Sequence, residues 1–175
     1  MGGHVAAGDY YGSGRIDTYD SSTGLYFRAV ENLPKKRGIL GSVSSNFETI
    51  NISVFDPASG TTKLIFKDPI VGHIVDVVFE SSFKDGVIEF NGYGTRYIKN
   101  NTLVTKREPR NKLLILVRKA ERTETELLVS DKRGGGVSTV AVVPDGVDWH
   151  IDVRNSKIRV VRQVGEAIRI ESYEW

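Results

Sequence analysis

Cysteine is absent from the 175 residues, which excludes disulfide frameworks, cysteine-ligated zinc, iron–sulfur clusters and thiol nucleophiles together. Histidine is scarce: His4, His73 and His150 are all the imidazoles available for acid–base or metal chemistry. Net charge is small, with 24 basic against 22 acidic side chains giving +2, so the bulk electrostatic footprint of a nucleic-acid binder is missing. Apolar runs are short. The longest, such as Lys112–Val117 and Val137–Val143, fall far below the roughly 20 residues of a transmembrane helix. The stretch Met1–Asp9 has no basic region followed by an apolar one, so no secretory signal is expected in it. An outer-membrane barrel, which Trp175 would suit, is not expected either, because its alternation partners Tyr173, Glu171 and Arg169 would turn charge toward lipid.

What is present is an ordinary globular composition, 39% hydrophobic and 26% charged, at a length that suits one domain with a real core. Helical periodicity is rare, and the chain reads as strand after strand. Expected strands include Leu25–Glu31, Ile50–Phe55, Lys63–Lys67, His73–Glu80, Thr95–Lys99, Lys112–Arg118 and Lys157–Arg162. They are rich in Val, Ile, Tyr, Phe and Thr and bounded by Gly, Pro, Asn or Asp. No long amphipathic segment separates them to act as a crossover helix, so an α/β fold is disfavoured. The expectation is one all-β domain over 15–175, an antiparallel meander of short hairpins arranged as propeller-like blades, a sandwich or a barrel, after a flexible glycine-rich segment over 1–14. Pro34–Phe47 and Asn100–Asn111 read as long exposed loops.

One pattern recurs, a strand followed by Asp-x-x-x-Gly, at Asp20–Gly24, Asp56–Gly60, Asp68–Gly72 and Asp131–Gly135. Asp accepts hydrogen bonds from the amides that follow it and Gly supplies a positive φ, so each is read as a hairpin turn. The spacing from Asp20 to Asp56 and on toward Asp131 approximates a blade-sized repeat, whereas Asp68 breaks that register. Lys112–Arg118, Thr125–Gly136, Val137–Val143, Asp148–Val153 and Lys157–Val161, together with Ile50–Gly60, resemble blades of the TolB-like and WD40-like propellers. That resemblance implies stacked four-stranded blades. The Trp-Asp dipeptide of the true WD40 repeat is missing, and the chain has room for about four blades.

Candidate site residues are few. In Asp148-Trp149-His150-Ile151-Asp152, alternation puts Asp148, His150 and Asp152 on one face and Trp149, Ile151 and Val153 on the other. A histidine between two carboxylates suits a general base or a metal site, and a strand with its polar side in water predicts the same pattern. His73 shares parity with Val75, Val77 and Phe79, so it is expected to edge a core face. Lys106, Arg107, Arg110, Lys112, Arg118, Lys119 and Arg122 outnumber Glu108 and Glu121 by five. With Lys35, Lys36 and Arg37 they could form an anion-binding face, or solvated strand ends. Gly134-Gly135-Gly136 precedes neither Gly-Lys-Ser/Thr nor a helix, so it is a turn rather than a phosphate loop.

No catalytic constellation, metal set or cofactor motif emerges. The expected function is a non-enzymatic binding or assembly module that presents loops, among them Lys106–Arg110, to a protein or an anionic ligand. Homo-oligomerisation through exposed sheet edges is a further expectation. The alternative is a barrel or sandwich holding a small apolar ligand among Tyr26, Phe55, Phe66, Phe79, Phe90 and Trp149. A hydrolase using His150 with Asp148 or Asp152 stands last.

Overall fold

The computed structural model describes residues 16–32, 48–92, 94–119, 121 and 123–175. The expected flexible segment over 1–14 and the expected loop over 34–47 lie outside them. The strands are β1 (Asp17–Asp20), β2 (Leu25–Glu31), β3 (Thr49–Asp56), β4 (Thr61–Leu64), β5 (His73–Val78), β6 (Glu80–Lys84) and β7 (Val87–Phe90). They continue with β8 (Ile98–Lys99), β9 (Leu113–Arg118), β10 (Glu124–Ser130), β11 (Ser138–Pro144), β12 (Asp148–Asp152), β13 (Lys157–Val164) and β14 (Ala167–Glu174). The protein is all-β, its only other regular element among the described residues being a 3-10 turn at Thr95–Tyr97.

The strands form three four-stranded sheets, ordered β1-β2-β3-β4, β11-β10-β9-β5 and β14-β13-β12-β8, and a two-stranded ribbon β6-β7. None of these sheets closes into a barrel among the described residues. All pairings are antiparallel except the short β8–β12 contact. Three of the four Asp-x-x-x-Gly segments are hairpin turns as expected. The amides of Gly24 and Gly60 donate to the carbonyls of Asp20 and Asp56, both at 2.8 Å, and Gly134 to that of Asp131 at 3.0 Å. The fourth, Asp68–Gly72, is a correction: it carries the chain from β4 in one sheet to β5 in another and reverses nothing.

Two apolar clusters explain how the sheets stack. Leu25, Phe27, Ile52 and Val54 of the first sheet pack against Ile74, Val77, Leu113, Ile115 and Val117 of the central one. On the opposite face of the central sheet, Leu114, Leu116, Leu127, Ala141 and Val143 pack against Ile151, Ile158 and Val160 of the third. The central sheet is therefore covered on both sides, which is why Leu113–Val117 is a continuous buried apolar run rather than an alternating one. Each fully buried side chain of this size contributes about 1.5–3 kcal/mol of transfer free energy.

Two departures from simple alternation matter for the site. Pairing of β5 with β9 shifts register between Ile74 and Asp76, a bulge that inserts one residue and flips the parity after it. His73 and Val75 are consequently not on the face of Val77 and Phe79, and Asp76 becomes buried. The expected strand over Thr95–Lys99 begins instead as the 3-10 turn, where the guanidinium of Arg96 and the hydroxyl of Tyr97 both donate to the Asp76 carboxylate.

Candidate functional site

Three distant segments meet around Glu80 at the start of β6: the loop leading into β9, the β10–β11 turn and the terminal Trp175. Glu80 is fully buried. Its carboxylate accepts from Arg107 through two guanidinium nitrogens at 2.5 and 2.7 Å, from the Arg110 amide at 2.8 Å and from the Trp175 indole at 2.9 Å. Burial would push this carboxyl up, but the Arg107 guanidinium and the other two donors hold it below the usual range.

A second buried pair lies beside it. The ammonium of Lys132, 1% exposed, donates to Asp20 Oδ2 at 2.8 Å, to Ser22 Oγ at 2.8 Å and to the Glu80 carbonyl at 2.7 Å. Lys132 thereby ties the β10–β11 turn to the β1–β2 turn and to β6. Each charge is paired and its remaining hydrogen-bonding capacity is used, the condition under which burial of ions is tolerable.

Above these pairs opens a cleft of about 290 Å³, lined by Ser21 and Ser22 from the β1–β2 turn, Ser81 and Ser82 from β6, and the loop residues Lys106–Pro109. Three of the residues singled out in the sequence belong to this region, in different roles. Lys106 is exposed on the cleft and makes no hydrogen bond or ion pair with the described residues. Arg107 is committed to Glu80, and Arg110 donates from Nη2 to Ser156 Oγ at 2.6 Å while its Nε has no partner. The basic surplus is smaller in space than in sequence. Arg118 pairs with Asp145 at 2.7 Å and Lys119 with Glu126 at 2.6 Å. Lys35, Lys36, Arg37 and Arg122 lie outside the described residues.

Asp148, Trp149, His150 and Asp152 sit on β12 in the third sheet. Trp149 packs toward the core and stacks on Tyr97, with ring centroids 4.7 Å apart and planes at 16°. Asp152 is buried, accepting from Asn155 Nδ2 at 2.9 Å and Arg159 Nε at 2.9 Å. Burial would raise its carboxyl, but these donors hold it well below the usual range. His150 is held below its ordinary value by burial first and by the charge of Lys99 next. Its Nδ1 is enclosed without a partner, and no hydrogen bond joins it to Asp148 or Asp152. The trio shares a strand, but Asp152 is already committed to structural donors. No group of three or more His, Asp or Glu residues is placed to hold a metal among the described residues.

Of the aromatics expected around an apolar ligand, Phe79 and Phe90 are core residues, Phe66 packs against the core, and Tyr26 and Phe55 are on the surface. The sequence reading missed Glu80, Asp20, Lys132 and Trp175 as a unit. An available signal was the acid at each end of Asp76-Val-Val-Phe-Glu80 within an apolar strand, since buried acids require partners. Against this geometry, no protein-family model, curated protein or solved structure matches the chain.

Proposed function

We propose that the chain is a non-catalytic binding module in which a propeller-like stack of sheets presents the serine-lined cleft to an acidic segment of a protein partner. Lys106 is the recognition cation. The observation that carries this reading is the exposed, unpaired ammonium of Lys106 at the rim of a cleft whose floor is fixed by the Glu80–Arg107 and Asp20–Lys132 pairs. A rigid floor spares the ordering cost that a mobile loop would incur on binding. Support for the propeller-like scaffold is the three four-stranded sheets packed face on face, each built on a run of consecutive antiparallel strands, β1–β4, β9–β11 and β12–β14.

Fluorescence anisotropy of a labelled oligoglutamate peptide tests this function. Saturable binding that weakens with added salt and by about tenfold or more in Lys106→Glu is the expected result. Equal affinity of the parent and Lys106→Glu proteins, or no binding at low salt, overturns it.

A second reading concerns assembly. Strand β14 is an outer strand of its sheet, eight residues long, with Ile168 and Ile170 exposed. Such an edge offers unpaired backbone groups to a second copy. Light scattering should then show a concentration-dependent dimer that Ile170→Lys reduces to monomer.

A further inference from the structure

The outward face of the first sheet carries a groove that shares no lining residue with the Lys106 cleft. Alternation sends Leu25, Phe27, Ile52 and Val54 into the core, so the residues between them face solvent. Strand register then aligns two rows across all four strands. One row is Tyr19, Tyr26, Phe55 and Thr62; the next is Asp17, Arg28, Ser53 and Leu64. The rings of Tyr19 and Tyr26 are 4.7 Å apart and those of Tyr26 and Phe55 6.3 Å. These aromatics are 50%, 46% and 38% exposed, a contiguous apolar surface of the kind that marks an interaction site. Between the rows lies a groove of about 310 Å³ walled by Asp17, Tyr26, Arg28, Ser53, Phe55 and Thr62.

The chemistry of these walls narrows the occupant. Ring faces attract flat apolar surface, while Asp17 accepts, Arg28 donates, and Ser53 and Thr62 do both. Stacked bases of a single-stranded nucleic acid would match the rings but need a surplus of cations along the groove. Here Asp17 stands directly opposite Arg28, so the groove is charge-balanced and offers a polyanion no net attraction. The ligand that fits is uncharged and presents apolar ring faces bordered by hydroxyl groups. We propose that this face binds a linear neutral oligosaccharide, with Tyr26 and Phe55 as stacking platforms and Asp17 and Arg28 as its hydroxyl-recognising pair.

Calorimetric titration of the full chain with cellohexaose, maltohexaose and chitohexaose, and with oligothymidylate as a polyanion, tests the site. Binding of at least one neutral sugar is expected, weakened about tenfold or more in Phe55→Ala and in Arg28→Ala. Circular dichroism confirms the fold of each variant, and Lys106→Glu, which alters the other cleft, should bind sugar as the parent does. Three results overturn the proposal: no heat with any of the three sugars, binding of oligothymidylate alone, or a self-associated parent that Phe55→Ala renders monomeric. The last would identify a second copy as what covers the face.

Discussion

The indole N–H of Trp175 donates to Oε1 of Glu80 at 2.9 Å, while its ring stacks on Phe90 at a centroid distance of 6.3 Å. The same residue's backbone amide donates to the Ser156 carbonyl at 3.0 Å. Trp175 is thus both a core residue of the third sheet and a donor to the carboxylate beneath the cleft, joining packing to electrostatics.

Trp175→Phe and Trp175→Ala separate those two contributions. Phenylalanine keeps most of the apolar contact but removes the donor, and should cost about 1–3 kcal/mol. Alanine also opens a cavity beside Phe90 and should cost about 3–5 kcal/mol. Urea unfolding followed by circular dichroism measures both. A Trp175→Phe variant as stable as the parent would mean that the hydrogen bond to Glu80 contributes nothing measurable, and equal losses in the two variants that the packing beside Phe90 adds nothing to it.

Lys132→Met should destabilise by about 3–5 kcal/mol, because Asp20 would remain buried without its cation. The Asp20 carboxylate would keep its donors Thr23 Oγ1 at 2.6 Å and the Ser22 amide at 3.1 Å, which places the effect toward the lower end. A double-mutant cycle with Asp20→Asn is the check. The double variant should lose less than the two single losses combined, and strict additivity would show that the two groups are not coupled.

The sequence made the sheets legible and left the ion pairs hidden, for identifiable reasons. Strand β2 was expected over Leu25–Glu31 and has those bounds, since alternation and a turn motif both act within a few residues. Trp149, Ile151 and Val153 were placed together by parity and do contact the core or line it. Parity failed in β5, where the bulge before Asp76 depends on pairing with β9, some forty positions away. Arg107 reads as part of an anion-binding face or a solvated strand end because its partner Glu80 is 27 residues distant, and Lys132 draws no reading because Asp20 is still further along the chain. Local chemistry writes turns and faces into sequence; a buried charge and its partner are written in separate places.

Acidification should lower stability in two steps whose signs follow from the shifted groups. His150 titrates below its ordinary value near 6.5 in the folded state. As pH falls below about 6.5 the unfolded chain therefore binds its proton first, and stability declines until the folded value is passed. Glu80 and Asp152 are also depressed, so their contributions are complete above the ordinary carboxylate range near 4 and are lost as pH falls below it. Melting temperatures across pH should show both declines. His150→Gln should remove the upper one and Glu80→Gln should reduce the lower one; an unchanged profile in either variant contradicts the corresponding assignment.

The crossing from the first sheet to the central one depends on Gly72. Its φ is +105°, and a Cβ added there would overlap the Arg118 carbonyl oxygen and stand 2.7 Å from the Lys119 Cα. Both obstacles are backbone at the end of β9, so neither can rotate away. Gly60 is the natural control, with φ +68° and no atom within 4 Å of an added Cβ. Gly60→Ala should cost only the left-handed penalty of about 1–2 kcal/mol. Gly72→Ala must in addition displace β5 from β9, where His73 and Arg118 pair, and should lower the melting temperature distinctly further. Equal shifts in the two variants would show that the link between the sheets can move aside, and that Gly72 is required for its φ alone.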